Sequence, residues 1–237
     1  MHPENPMTKY FTSPTQIQNG ESGGWLIQAR FRIAQLRPLK AIGTTAFILL
    51  FFWGYFGVMR NPWSAPTMMP LTIIDESIPF TPLAFGFYAS LWLYVSLPPA
   101  LLLNIRQLLA YGFWIGALCA FCLLIFLVWP TTIPEFDINW SKYPTIKLIK
   151  GLDISGNACP SLHVATAVFS AVWIQHILRL IGAPRVLSTA SIVLCVLIVW
   201  STIALRQHVA IDALAGIAVG LIFSFASLSI KIPLGRE

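Results

Sequence analysis

Two short clusters in this chain hold residue types that can do chemistry together. One is Asn157-Ala158-Cys159-Pro160-Ser161-Leu162-His163, and the other is Arg206-Gln207-His208-Val209-Ala210-Ile211-Asp212. Pro160 fits the first turn of a helix, where its missing N–H costs nothing. The N–H groups of Ser161, Leu162 and His163 would then point out of a helix N-terminus, a place that binds anions such as phosphate. Arg206 adds a permanent charge and a planar fork of donors. His208 and Asp212 are spaced i and i+4, so they share one helix face. Asp212 can take the proton of one ring nitrogen of His208 and leave the other nitrogen free to attack an electrophile. His163 can give a proton to a leaving oxygen. Each residue alone also has a plain structural reading: a histidine satisfying a neighbouring helix, an Asp212–Arg206 pair, a Pro-Ser helix start. The joint pattern is hard to explain as packing.

The clusters match a known pattern. Pro160-Ser161-Leu162-His163 resembles the P-S-G-H motif of the type 2 phosphatidic acid phosphatase superfamily, with Leu162 in the glycine's place. His208-x-x-x-Asp212 resembles the end of that family's S-R-x5-H-x3-D motif. The resemblance covers about residues 130–222, and PSLHVATA and RQHVAIDALAG look like a branch with bacterial lipid phosphatases and relatives of inositol phosphorylceramide synthase. It implies a lipid phosphate monoester as substrate, hydrolysed through a phosphohistidine on His208 without metal or cofactor. Asp212 would orient His208, His163 would protonate the leaving alcohol, and Ser161, Leu162 and Arg206 would bind substrate. The alternative is a phosphotransferase that moves a phospho-headgroup onto a lipid alcohol. A transporter or lipid binder comes third, because it would need spans broken at mid-membrane. The resemblance also implies a bacterial cytoplasmic membrane, with the site on its outer face.

Departures from the pattern concern the phosphate clamp. The family's arginine after the motif serine falls at Thr202. No K-x6-R-P precedes the second cluster's partner span. An R-x6-R-P at Arg30–Pro38 falls on the opposite membrane side by topology. Glu135 stands where a basic residue would follow Pro130-Thr131-Thr132-Ile133-Pro134. Arg206, Lys142, Lys147 and Lys150 remain as candidate cations.

The elements that must position these residues follow from composition. The chain has 237 residues, 57% hydrophobic and 10% charged, with mean hydropathy +0.73. Soluble domains carry about 25% charged residues. A soluble globular domain, a disordered chain, a collagen-like chain and a disulfide scaffold are excluded. An all-α polytopic membrane bundle is expected. A span needs about 20 apolar residues, and six segments qualify: 41–59, 83–103, 108–129, 161–181, 186–205 and 209–230. His163 and His208 are 45 residues apart, two spans and a turn, so a helical hairpin returns them to one membrane face. Pro98-Pro99 should kink the second span, with neighbouring helices meeting the freed carbonyls. Gly216-x-x-x-Gly220 and Ala167-x-x-x-Ala171 mark close helix contacts.

Loop charges set the orientation. With residues 1–40 as a cytoplasmic tail, that side collects Lys9, Arg30, Arg32, Arg37, Lys40, Arg106, Arg179, Arg185, Lys231 and Arg236. The other side holds Arg60, Lys142, Lys147, Lys150 and Arg206. Both termini are therefore expected in the cytoplasm, residues 231–237 being a short tail. Trp25–Lys40 reads either as an interfacial helix or as a plain flank. The net charge of +6 is spread between spans and is no nucleic-acid footprint. Cys119-x-x-Cys122 lies inside a span and reads as packing. The loops 60–82 and 130–160 face the same side as the histidines. The longer one carries enough apolar residues to be ordered against the membrane surface.

Overall fold

The computed structural model describes residues 24–152 and 156–229. Residues 1–23 with Lys9, 153–155 with Asp153, and 230–237 with Lys231 and Arg236 lie outside the described residues. The helices in chain order are α1 (Gly24–Ala34), α2 (Arg37–Arg60), α3 (Ile73–Ser77), α4 (Phe85–Leu101), α5 (Ile105–Val128), α6 (Pro144–Leu152), α7 (Leu162–Leu180), α8 (Arg185–Ala204) and α9 (Ala210–Ser229). Two short strands, β1 (Thr67–Met68) and β2 (Thr131–Thr132), pair in parallel between the two long loops.

Among the described residues five helices are long and apolar enough to cross a membrane: α2, α4 with the 3-10 turn before it, α5, α8 and α9. They coincide with five of the six expected segments. The remaining segment is α7, which matches them in length and carries His163, Gln175, His176 and Arg179. It is enclosed by the other helices. Val164, Ala165, Ala167, Phe169 and Trp173 are all fully buried, because α7 packs among α4, α5, α8 and α9. A helix enclosed by other helices can carry polar side chains if protein groups meet them. Trp173 Nε1 donates to Ser227 Oγ at 3.0 Å, and Gln175 Nε2 donates to the Ser188 carbonyl at 2.9 Å.

The seam between α7 and α9 is the closest helix contact. A Cβ on Gly216 would lie 2.6 Å from the Ser161 carbonyl oxygen, and one on Gly220 would lie 2.6 Å from that of Ala165. The G-x-x-x-G therefore brings backbone against backbone, as small residues do between membrane helices. Ala167, of the other small pair, packs instead in the cluster of Leu91, Tyr94 and Ile198.

At the opposite end of the bundle, α4 carries Pro98 and Pro99 in its last turn. Pro99 frees the Val95 carbonyl, and the Tyr111 hydroxyl of α5 lies 3.5 Å from it. The Ala100 carbonyl accepts from Lys40 Nζ at 2.8 Å. The Leu101 carbonyl accepts from Arg32 at 3.5 Å. Cations at a helix C-terminus are favourable. Residues 24–40 thus dock on the bundle: α1 packs against α4, and the chain breaks at Leu36 (φ 54°) before α2 begins. Arg32 is 8% exposed, and burial pushes its guanidinium pKa down. Leu26, Ile27 and Phe31 face outward.

Candidate active site

The α7–α9 seam carries the two motif clusters to one end of the bundle. Ser161 is the N-cap of α7, and its Oγ accepts from Val164 N–H at 3.3 Å. Pro160 is one residue outside the helix, before the cap and after a cis peptide bond. The expected placement in the first turn is therefore off by two positions, and Leu162 and His163 are the residues in that turn. The Ser161 N–H is taken by the Asp212 carbonyl at 3.0 Å, which fastens the start of α7 to the start of α9.

The two imidazoles meet directly. His163 Nδ1 lies 3.2 Å from His208 Nε2, with ring centroids 5.4 Å apart. His208 is 2% exposed. Its Nδ1 lies 3.0 Å from the Ala158 carbonyl oxygen. A carbonyl only accepts, so Nδ1 carries the proton and Nε2 keeps a lone pair. The proton between the rings then belongs to His163 Nδ1.

Asp212 takes a different part from the one its spacing suggested. Its Oδ2 is 3.7 Å from His208 Nδ1, too long for a hydrogen bond, and instead accepts from Val209 N–H at 3.0 Å. Among the described residues Oδ1 has no hydrogen-bond partner, and the side chain is fully buried. The carboxylate thus faces His208 without a hydrogen bond to it, and the Ala158 carbonyl is the acceptor at Nδ1.

The loops hold Ala158 in place. The Ala158 N–H donates to the Thr131 carbonyl at 3.1 Å, and the Cys159 N–H donates to Thr131 Oγ1 at 2.7 Å. Burial, followed by the charge of Asp212, pushes the Cys159 thiol up to about 11.

The turn before α9 is secured by the other loop. Asp75, 1% exposed, accepts from the Ala210 N–H with Oδ1 and from Thr72 with Oδ2, each at 2.8 Å. It caps a helix that begins 135 residues later. Arg206, in left-handed conformation (φ 55°), donates to the carbonyls of Asp75 and Ile78, each at 2.9 Å. Its guanidinium also lies 4.6 Å from the Phe136 ring centroid. Two of its nitrogens are therefore engaged by loop carbonyls. Lys150 Nζ donates to the Arg206 carbonyl at 2.7 Å and sits over the Trp140 ring, while Lys142 and Lys147 are exposed.

A cavity of about 770 Å³ runs between α2, α4 and α5 and reaches His163, Leu162 and Asn157. Its walls are mostly apolar, and among the described residues no lysine, arginine, aspartate or glutamate lines it. A second, more polar cavity of about 580 Å³ lies among Glu135, Asp137, Lys150 and Gln207, and it shares Asn157 with the first. Two residues that the sequence reading did not single out touch the machinery: Asp75, and Tyr88, whose Oη lies 2.8 Å from His163 Nε2. Tyr88 has no local sequence signal, and Thr72-x-x-Asp75 reads locally only as a helix cap, with nothing that points to Ala210.

No curated protein and no solved structure matches the chain. A family model for the PAP2 superfamily matches residues 107–234, a stretch that begins in α5 and takes in both histidine clusters. With more than half of its length matched, and with helices among the described residues apolar enough to cross a membrane, this chain belongs to the PAP2 superfamily.

Proposed function

We propose that the protein is an integral-membrane lipid phosphatase that hydrolyses a phosphomonoester through a phosphohistidine on His208. In this reading α7 is a sixth span at the centre of the bundle. Both termini are cytoplasmic, and the histidines lie at the outer face of a bacterial cytoplasmic membrane. The observation that carries the reading is the state of His208. The Ala158 carbonyl holds its Nδ1–H, and the Nε2 lone pair is directed at the imidazole that edges the apolar cavity.

The lipid chain lies in the α2–α4–α5 cavity, whose lack of charge suits hydrocarbon. The phosphoryl group enters between the rings and replaces their contact. Reacting atoms need an approach of about 3–3.5 Å. His208 Nε2 forms a bond to phosphorus as the lipid P–O bond breaks. The leaving oxygen takes the proton of His163 Nδ1. Water then attacks phosphorus, gives its proton to His163 Nδ1, and releases His208. Asp212, 3.7 Å from Nδ1, offsets the positive charge of the modified ring. The Ser161 hydroxyl proton and the N–H groups of Leu162 and His163 bind phosphate oxygens. Every step uses groups of the protein, with no metal. Arg206 serves by holding the turn before His208, and also binds phosphate if substrate draws it from the loop carbonyls.

The second reading, transfer of a phospho-headgroup to a lipid alcohol as in the inositol phosphorylceramide synthase-like branch, is favoured by one observation. A polar cavity meets the apolar one at Asn157, giving a headgroup its own compartment. Phosphate release from a lipid monoester without added alcohol supports the phosphatase. Dependence on a phosphodiester donor and a lipid alcohol supports the transferase.

The test is phosphate release by the purified full chain. His208→Ala is expected to lower it at least about a thousandfold, with membrane insertion unchanged. Vanadate is expected to inhibit as a mimic of the five-coordinate transition state. Activity is expected to survive a chelator. Unchanged release by the variant would remove His208 as nucleophile, and loss restored by a divalent ion would remove the metal-free route.

A further inference from the structure

Tyr88 stands on α4, outside both motif clusters and outside the segment that the family model matches. It is 4% exposed and packed with Ala84, Ile146, Ala204 and Leu205. Its ring lies 5.1 Å from that of His163, tilted by 36°, and its Oη is 2.8 Å from Nε2. Tyr88, His163, His208 and the Ala158 carbonyl thus form one unbroken chain of contacts.

We infer that Tyr88 is the positioning residue of the general acid, holding His163 Nε2 so that Nδ1 is the atom that gives and takes the proton. The inference rests on the histidine mechanism proposed above. Its ground is the bookkeeping of protons along the chain. The Nε2 lone pair of His208 requires a hydrogen on His163 Nδ1. If His163 is neutral, its Nε2 is a lone pair, and the Tyr88 hydroxyl donates to it. If His163 is protonated, Nε2–H donates to Tyr88 Oη. After Nδ1 gives up its proton, Nε2–H keeps that acceptor.

A hydroxyl can do both, because it donates one hydrogen and has lone pairs to accept. A carboxylate at this place would only accept, and a lysine would only donate. The phenol also adds no charge of its own to a cavity wall on which, among the described residues, no lysine, arginine, aspartate or glutamate stands. Without the phenol, Nε2 loses this contact, and the ring is no longer held against turning and carrying Nδ1 away from the leaving oxygen.

The experiment compares Tyr88→Phe with the unaltered full chain in detergent, using two probes. Dodecyl phosphate has an alkoxide leaving group that needs protonation. p-Nitrophenyl phosphate has a leaving group that departs without it. Phe keeps the ring and its packing. The expected result is a loss of about tenfold or more in kcat on dodecyl phosphate, and less than about threefold on p-nitrophenyl phosphate, since positioned acid catalysis contributes roughly 10²–10⁴. Equal losses on both probes, or none on either, would overturn the inference. A second readout needs no turnover. In ¹⁵N spectra of the imidazoles, the His163 Nε2 resonance is expected to move in Tyr88→Phe while His208 Nδ1 stays in place. An unmoved His163 Nε2 would overturn the inference by itself. If the unaltered chain hydrolyses neither probe, the phosphatase reading fails, and the imidazole spectra alone decide the role of Tyr88.

Discussion

Along the α7–α9 seam, a Cβ on Gly216 or Gly220 would come within 2.6 Å of a carbonyl oxygen. Across the bundle, a Cβ on Gly112 or Gly43, which line the cavity, would meet nothing within 4 Å. The two regions sit on either side of His163. One has no space to spare and is fastened by the main-chain hydrogen bond from Ser161 N–H to the Asp212 carbonyl. The other is open and mostly apolar, and among the described residues no acidic side chain, lysine or arginine lines it. The difference separates two tasks. The seam must keep a lone pair and a proton donor about 3 Å apart, which calls for rigid packing. In the function proposed, the cavity has only to accept hydrocarbon, which is recognised by area and not by direction.

Substitutions at matched glycines are the sharpest way to break this comparison. Gly216→Leu should have the largest effect. Its neighbours are the Ser161 carbonyl, the Val164 Cβ and the Ala165 N, none of which is the end of a flexible chain. Overpacking of this kind costs about 1–3 kcal/mol or more. Phosphate release is expected to drop below about 1%, with a lower melting temperature in detergent. Normal activity would mean that the seam does not set the distance between the rings.

Asp75→Ala comes next. It strips partners from the Ala210 N–H and from Thr72, at about 1–3 kcal/mol for the buried groups left unpaired. A loss of about tenfold in kcat is expected, with a smaller loss in Asp75→Asn, which keeps one acceptor oxygen. Equal losses in the two variants would argue against a capping role.

Gly112→Leu should have the smallest effect and a different form. It adds a side chain to the open cavity, so stability should hold. KM for a long-chain lipid phosphate should rise severalfold, with p-nitrophenyl phosphate hydrolysed at its usual rate. An equal effect on both substrates would mean that the cavity does not take the lipid chain.

Sequence motifs reached the seam more fully than the loops. Proline, serine and histidine at a helix start, histidine and aspartate one turn apart, and two glycines four apart are local patterns, and each has a local physical meaning. Span lengths alone predicted that His163 and His208 share one end of the bundle. The partner of His208 Nδ1 was misread, because it is the carbonyl of Ala158, and a main-chain acceptor leaves no mark in side-chain chemistry. Asp75 and Tyr88 escaped for a related reason. Each acts across a long separation, from a loop and from an aromatic-rich helix where one more acid or phenol does not stand out. Arg206 was read by its type, but its fork is directed at loop carbonyls that exist only once the fold has formed. Six spans were expected from apolar length, and five of the described helices meet the criteria of length and hydropathy, the sixth segment being α7, whose surroundings are protein.

The central claim is that the Nε2 lone pair of His208 attacks phosphorus. The most direct measurement is a rapid acid-free quench of the full chain turning over a lipid phosphate, followed by mass spectrometry and ³¹P NMR of the peptides. The account predicts a transient, acid-labile phosphoryl group on His208, attached at Nε2, that decays as inorganic phosphate appears. A phosphoryl group on His163, or turnover with no phosphorylated histidine at any time point, would contradict it.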